Sequence, residues 1–162
     1  MFGDKNRMRK INDSSALRLL RESRLAHLAT STKDGTPHVI PICFALDGRT
    51  IYSSIDEKPK RADANRLRRV LNIIQNPRVC LVVDYYSENW NNLSYVIVNG
   101  YARIMHGGRE HKRAVSLLRK KYRQYLLMRI ENRPIVKIKP SKIVTWRARE
   151  CGIQNESGRS MR

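Results

Sequence analysis

The sequence predicts a mainly β protein, a small antiparallel β-barrel with a few short helices. Two Asp-Gly pairs, at 34–35 and 47–48, each lie between short apolar runs, and Asp-Gly is among the strongest signals for a tight hairpin turn. Further strand-like runs follow toward the carboxyl end. Antiparallel strands in this number leave the fewest exposed edges when their sheet closes into a barrel. At 162 residues, the chain is long enough for one such domain.

The first half of the chain predicts a helix followed by a β-meander. Asp13 or Ser14 can cap a short helix whose apolar edge carries Leu17 and Leu20. Strands are then predicted over residues 24–31, 36–46 and 50–55. The second of them contains two prolines, which cannot donate to a central ladder. This strand should therefore bend or lie at an edge of the sheet.

The second half predicts two helices between longer strands. The first helix should turn four apolar residues toward the core, namely Leu67, Val70, Leu71 and Ile74. The second is basic and carries its apolar residues on one side: Val115, Leu118, Tyr122 and Tyr125. Strands are predicted over residues 78–84, 94–105 and 134–146. The first of these is almost continuously apolar, which predicts burial on both faces, and Gly100 in the next marks a bulge or a barrel corner.

The predicted domain spans residues 14–148, between a basic lead-in at 1–13 and a polar tail at 149–162. No apolar run approaches the length of a membrane span, and the first ten residues lack the apolar centre of a signal peptide. We therefore expect a cytoplasmic protein with no membrane partner. The cysteines and histidines lack the paired spacing of metal ligands, which predicts no metal site.

Charge is the unusual bulk property of the chain. Lysine and arginine number 33 against 14 acidic residues, for a formal net charge of +19. Such an excess attracts anions, whether nucleic acid, anionic lipid or a phosphorylated ligand. Aromatic residues make up only 7% of the chain and no nucleic-acid-binding motif is present. Both observations argue against specific recognition of nucleic acid, so a basic nucleic-acid-binding module is a further alternative that the charge alone motivates, with salt-sensitive and sequence-independent binding expected of it.

Lys58, Lys60 and Arg61 form the most concentrated candidate site. A phosphate group needs several positively charged donors that converge, and lysine supplies a compact charge while arginine can grip two oxygens. Pro59 stands between the lysines and would stiffen the loop, which lowers the entropic cost of ordering it. The alternative is a charged loop that water alone solvates.

Six strings in fixed order resemble the pyridoxamine 5'-phosphate oxidase-like FMN-binding split barrels, and within them the class of F420-dependent oxidoreductases. The strings are residues 25–30 (LAHLAT), 34–44 (DGTPHVIPICF), 51–61 (IYSSIDEKPKR), 72–79 (NIIQNPRV), 99–104 (NGYARI) and 138–146 (IKPSKIVTW). The resemblance spans about residues 17–148. It implies an antiparallel split barrel that forms a homodimer, with two sites at the subunit interface for FMN or the deazaflavin coenzyme F420.

The resemblance also implies which residues contact the cofactor. The implied residues are Lys58, Lys60 and Arg61 for the phosphate, Pro41, Ile42 and Cys43 along the ring, and Ser53 and Ser54 for additional hydrogen bonds. Arg68 could extend the basic surface toward the lactyl-oligoglutamate tail of F420, although a solvated helix face is its alternative. Trp90 lies in a polar loop, where it would cover the cofactor across the dimer or cap the barrel end.

We therefore expect an F420-dependent oxidoreductase, with FMN as the alternative cofactor, that transfers hydride to a small molecule. The cofactor carries the hydride in such enzymes, so no catalytic acid or base of the protein is required, and the sequence indicates none. A non-catalytic carrier or sensor of FMN or F420 is the second interpretation, since a fold does not determine function.

Overall fold

The computed structural model describes residues 14–55 and 67–148. The helices there are α1 (Ser14–Glu22), α2 (Arg68–Gln75) and α3 (Arg109–Lys121). The strands are β1 (Ala26–Ser31), β2 (Pro37–Ile42), β3 (Ala45–Asp47), β4 (Thr50–Ser54), β5 (Arg78–Tyr85), β6 (Ser94–Met105) and β7 (Ile135–Arg147). Short 3₁₀ turns occur at Trp90–Asn92, Arg123–Leu126 and Ile130–Asn132.

The seven strands form one antiparallel sheet in the order β2-β1-β5-β6-β7-β4-β3. The edge strands β2 and β3 are neighbours in the chain, because only Cys43 and Phe44 separate them. So short a link holds the two edges of the sheet close together. The sheet must therefore curl into a barrel that stays split between β2 and β3, which confirms the predicted antiparallel split barrel.

The core has two parts. The larger lies inside the curl and contains Phe44, Leu28 and Ile51, together with Leu20 from α1 and Val70 from α2. The smaller lies between α3 and the strands at the other end of the sheet. Its buried members include Tyr52, Leu118, Tyr122, Tyr125 and Ile135. The predicted apolar side of the helix is confirmed for Val115 and Leu118, whereas Tyr122 and Tyr125 are buried from the turn that follows the end of α3 at Lys121.

Most turn predictions hold. Gly35 and Gly48 adopt positive φ angles of 91° and 58°, which glycine tolerates without strain. At Gly100 the pairing of β6 with β7 shifts register, which confirms the predicted bulge. The prediction of an edge strand is also confirmed, because Pro41 lies in β2 at one edge of the sheet.

The strand predicted over 36–46 is in fact two strands, β2 and β3. Between them, the backbone N–H of Phe44 donates to the hydroxyl of Tyr122 at 3.0 Å instead of to a neighbouring strand. The same hydroxyl lies 2.8 Å from the carbonyl oxygen of Arg24 and 2.9 Å from that of Phe44. The Tyr122 hydroxyl thus takes the place of a neighbouring strand as the hydrogen-bond partner of Phe44. Because Tyr122 is far away in the sequence, no local pattern could indicate this contact.

The predicted apolar face of α2 is wrong in part. Val70 and Ile73 are buried, but Leu71 and Ile74 are 43% and 67% exposed. Asn72 turns inward instead, and its amide donates to the hydroxyl of Thr30 at 3.0 Å. A buried polar pair that satisfies itself can replace an apolar residue on the inner face of a helix.

Candidate functional site

The two serines at the end of β4 point to opposite sides of the sheet. Side chains alternate along a strand, so Ser53 shares the barrel side with Ile51, while Ser54 shares the α3 side with Tyr52. Both are buried, at 3% and 7% exposure. The Ser54 Oγ atom has no hydrogen-bond partner in the described part of the chain. Burying a hydroxyl without a hydrogen-bond partner costs free energy. Of the two serines, Ser54 is therefore the better candidate for binding a ligand.

The segment that holds the three basic candidates begins beside Ser54. Lys58, Lys60 and Arg61 belong to residues 56–66 and lie outside the described residues. The segment ends at α2, whose first residue, Arg68, is exposed. Leu67 stands at the amino end of α2, and its side chain makes no capping hydrogen bond. Ser54 and Arg68 therefore flank the candidate phosphate-binding loop.

The three residues predicted to contact the cofactor ring have side chains in three different environments. Pro41 is exposed and pairs with His27 across the sheet. Ile42 is 7% exposed and belongs to the core inside the curl. Cys43 is partly buried and packs against the cluster that contains Tyr122. Of this stretch, Ile42 can offer a ligand only its backbone, because its side chain is committed to the core.

Trp90 is held outward by a short hydrogen-bonded loop. Its side chain is 67% exposed. In the turn around it, the side chain of Asn89 accepts a hydrogen bond from the backbone of Asn91 at 3.1 Å. The backbone of Ala148 donates to the carbonyl oxygen of Leu93 at 3.0 Å and anchors the end of the loop to the last strand. The loop thus presents a large aromatic ring that its own chain does not cover.

The outward side of strands β2, β1, β5, β6 and β7, here called the outer face, carries two rows of facing residues. One row is Pro41, His27, Val82, Ile97 and Val144; the other is Val39, Ala29, Cys80, Asn99 and Lys142. None of the ten is fully buried. The prediction that β5 is buried on both faces is therefore wrong for the single chain, where Val82 remains partly exposed. Val39 at the edge is 59% exposed.

Sequence reasoning missed a charged cluster around Glu110 on α3. Its carboxylate accepts from the Tyr52 hydroxyl at 2.8 Å, from Arg103 at 3.0 Å and from the buried amine of Lys137. The bond from Lys137, more than any other contact, lowers the pKa of Glu110 to about 2. Burial, and then the bond to Glu110, raises the pKa of Tyr52 to about 12. Neither group exchanges a proton near pH 7, so the cluster joins α3 to the sheet rather than serving as an acid–base pair.

Two classes of site are absent from residues 14–55 and 67–148. No group of three histidine, cysteine, aspartate or glutamate side chains there is placed to hold a metal ion. None of the helices described is long and apolar enough to cross a membrane.

Burial raises the pKa of the Cys80 thiol, which lowers its reactivity as a nucleophile.

A family model described as pyridoxamine 5'-phosphate oxidase matches residues 14–147. The chain belongs to this family. The match covers every helix and strand of the structure, and it confirms the resemblance at the level of the split-barrel superfamily. The F420-dependent subgroup stays a prediction. A search of curated proteins finds no match.

Solved structures share the fold at low sequence identity. A conserved hypothetical protein, Rv2991, from Mycobacterium tuberculosis is 19% identical, with 93% of each chain covered and a TM-score of 0.71. A FAD-binding protein from Mesorhizobium loti is 22% identical over 81% of this chain and 91% of that one, with a TM-score of 0.61. A FAD-binding protein from Mycobacterium smegmatis is 22% identical over 85% and 95%, with a TM-score of 0.59.

Proposed function

We propose that this member of the family is a homodimeric oxidoreductase that binds coenzyme F420, with FMN as the alternative, and reduces or oxidises a small molecule. When bound, either cofactor supplies the hydride chemistry. Family membership and the fold shared with two FAD-binding proteins support a flavin-type cofactor. The observation that carries the proposal in this chain is the buried hydroxyl of Ser54, which has no hydrogen-bond partner among residues 14–55 and 67–148.

Ser54 is the proposed fixed contact of a phosphate site. The hydroxyl is buried at the point where β4 gives way to the loop with Lys58, Lys60 and Arg61. A phosphate there would give the Ser54 hydroxyl an acceptor and would face concentrated positive charge. The amino end of α2 supports this assignment, because Leu67 cannot cap it with a side chain and the backbone N–H groups at a helix start favour an anion.

A second copy of the chain is the proposed cover for the outer face. The sequence of β5 is that of a strand buried on both sides, yet Val82 and its neighbour Ile97 remain partly exposed in one chain. Covering them with a symmetry-related face would bury the apolar residues of both rows at once, while Asn99 and Lys142 lie at the β6 and β7 end of the second row. A planar cofactor ring would then gain a wall from each subunit, with Pro41 at the edge of one face and Trp90 available to cover the ring from the partner.

We expect Val82→Glu to weaken the dimer by about 100-fold, because the change would bury an unpaired carboxylate in an apolar interface. Leu127→Glu is the matched control, since Leu127 is 93% exposed and lies outside the outer face. Sedimentation equilibrium of both variants and the wild type gives the association constants. A dimer unaffected by Val82→Glu would place the subunit contact elsewhere, and a monomeric wild type that still binds cofactor tightly would contradict the proposed interface site.

The cofactor proposal is tested by visible absorption and fluorescence titrations of the wild-type protein with F420 and with FMN. We expect saturable binding of both, with F420 tighter, because its oligoglutamate tail adds negative charges that the exposed Arg68 can attract. Reduced F420 bound to the protein should be reoxidised by a small quinone faster than free reduced F420. Binding without acceleration would favour the carrier or sensor, and no binding of either cofactor would contradict the proposal.

A further inference from the structure

A cleft of about 340 Å³ lies beside the junction of β2 and β3, against the turn that follows α3. Its walls are mostly apolar or aromatic and include Leu25, Cys43, Tyr122, Tyr125 and Met128. Arg24 stands at the same cleft and is exposed. The cleft therefore offers an apolar surface next to a guanidinium group.

Two cations lie against the ring of Tyr122, which forms part of the cleft wall. The guanidinium carbon of Arg24 lies 4.9 Å from the centre of the Tyr122 ring. The Lys121 amine lies 5.7 Å from the same ring and 4.1 Å from the Phe44 ring. Among the residues that the structure describes, neither cation has a carboxylate partner, and the buried Lys121 nitrogen has no hydrogen bond. Buried charges are normally paired, so the buried amine of Lys121 lacks an anion, and the exposed guanidinium of Arg24 lies beside it without one.

The electrostatics of Lys121 agree with that geometry. Burial first, and then the charge of Arg24, lower the pKa of Lys121 to about 8, while Cys43 acts in the opposite direction. Lys121 is not in the cleft wall, so it would act on a bound anion through its charge and Arg24 through contact. An anion between them would relieve the repulsion that now opposes the protonated amine.

Hydrogen bonds hold the Tyr122 side chain, which lies against both cations, in place without a ligand. The Tyr122 hydroxyl bonds the backbone of Phe44 and lies 2.8 Å from the Arg24 carbonyl oxygen. Burial raises the pKa of Tyr122 to about 12, so this hydroxyl stays protonated in the physiological range. A pocket that is already ordered loses little entropy on binding.

We propose that this cleft binds a small organic carboxylate, with the carboxylate held by Arg24 near Lys121 and the apolar body packed on Cys43 and Met128. The proposed site uses neither Ser54 nor the basic loop. It shares Cys43 with the predicted contacts of the cofactor ring but uses none of the phosphate contacts, so its test with octanoate does not depend on the cofactor phosphate site.

Calorimetric titration of the full chain with octanoate tests this at low ionic strength. We expect saturable octanoate binding, and 1-octanol should bind at least about tenfold more weakly because it lacks the charge. Arg24→Gln should lower octanoate affinity by about tenfold, since it removes a charged hydrogen-bond partner. Arg21→Gln, an exposed arginine on α1, is the matched control and should change nothing. Equal affinities for octanol and octanoate, or equal losses in the two variants, overturn the site.

Octanoate affinity should also fall as the pH rises through about 8, where Lys121 loses its proton and its attraction for the carboxylate. The groups that face its amine are Arg24 and Cys43 from other elements and Tyr122 beside it. Cys43→Ala removes the thiol, so the fall in affinity should persist in that variant. Lys121→Met keeps the chain length, removes the charge, and should abolish the fall. The two-cation site is overturned if octanoate affinity does not change with pH in the wild type, or if the same fall with pH persists in Lys121→Met.

Discussion

Gly100→Ala is expected to lower the free energy of unfolding by about 3 kcal/mol, since added atoms in a closely packed site force the backbone to shift. A Cβ atom at position 100 would collide with the carbonyl oxygen of Lys139 and lie 3.1 Å from the Cα of Pro140. Both obstacles are backbone, which cannot rotate away as a flexible side chain can. Urea unfolding of the variant and the wild type measures the difference.

Gly107→Ala is the matched control for this substitution. No atom lies within 4 Å of the Cβ position at Gly107, so we expect a change within about 0.5 kcal/mol. Gly100 lies where β6 and β7, the two longest strands, shift register against each other. A bulge at that point bends the paired strands and contributes to the curl of the sheet. Equal stability of the two variants would show that the two strands can separate there without cost.

Local sequence signals located most of the elements of this fold, although the strand predicted over 36–46 is divided into β2 and β3. The Asp-Gly turns, the glycine bulge and the apolar side of α3 are all set by residues close to one another in the chain, and the structure has each of them. The sequence predicted a closed sheet from the number of antiparallel strands, whereas the short link of Cys43 and Phe44 that brings its edges together was not predicted. What the sequence could not indicate are contacts set by partners far away, such as the Tyr122 hydroxyl at Phe44, 78 residues distant.

The candidate site was harder to predict for two physical reasons. Strand alternation sends neighbours such as Pro41 and Ile42, or Ser53 and Ser54, to opposite sides, so a string of adjacent residues cannot all contact one ligand. The clusters around Glu110 and Lys121 bring together residues from separate strands and helices. Because these residues are far apart in the sequence, no spacing pattern predicts that they meet. Asn72 is similar, because its partner Thr30 lies on a strand 42 residues away.

Lys58→Ala is expected to lower the affinity for F420 by about ten- to a hundredfold, because removing one charged partner of a phosphate costs about 1.5–3 kcal/mol. The residue belongs to the charged segment that follows Ser54 and Ile55 in the sequence. Lys33→Ala is the matched control, since Lys33 is an exposed lysine in the turn between β1 and β2. Fluorescence titration of F420 into the two variants and the wild type measures the three affinities.

The same variant separates the phosphate from the tail of the cofactor. FMN and F420 both carry a phosphate, so Lys58→Ala should weaken both by a similar factor. Only F420 carries an oligoglutamate tail, so its affinity should rise with the number of glutamates and fall with salt more steeply than that of FMN. Equal losses in Lys58→Ala and Lys33→Ala would move the phosphate away from this loop. Tighter binding of FMN, with no effect of tail length, would retain the phosphate site and replace F420 by FMN as the cofactor.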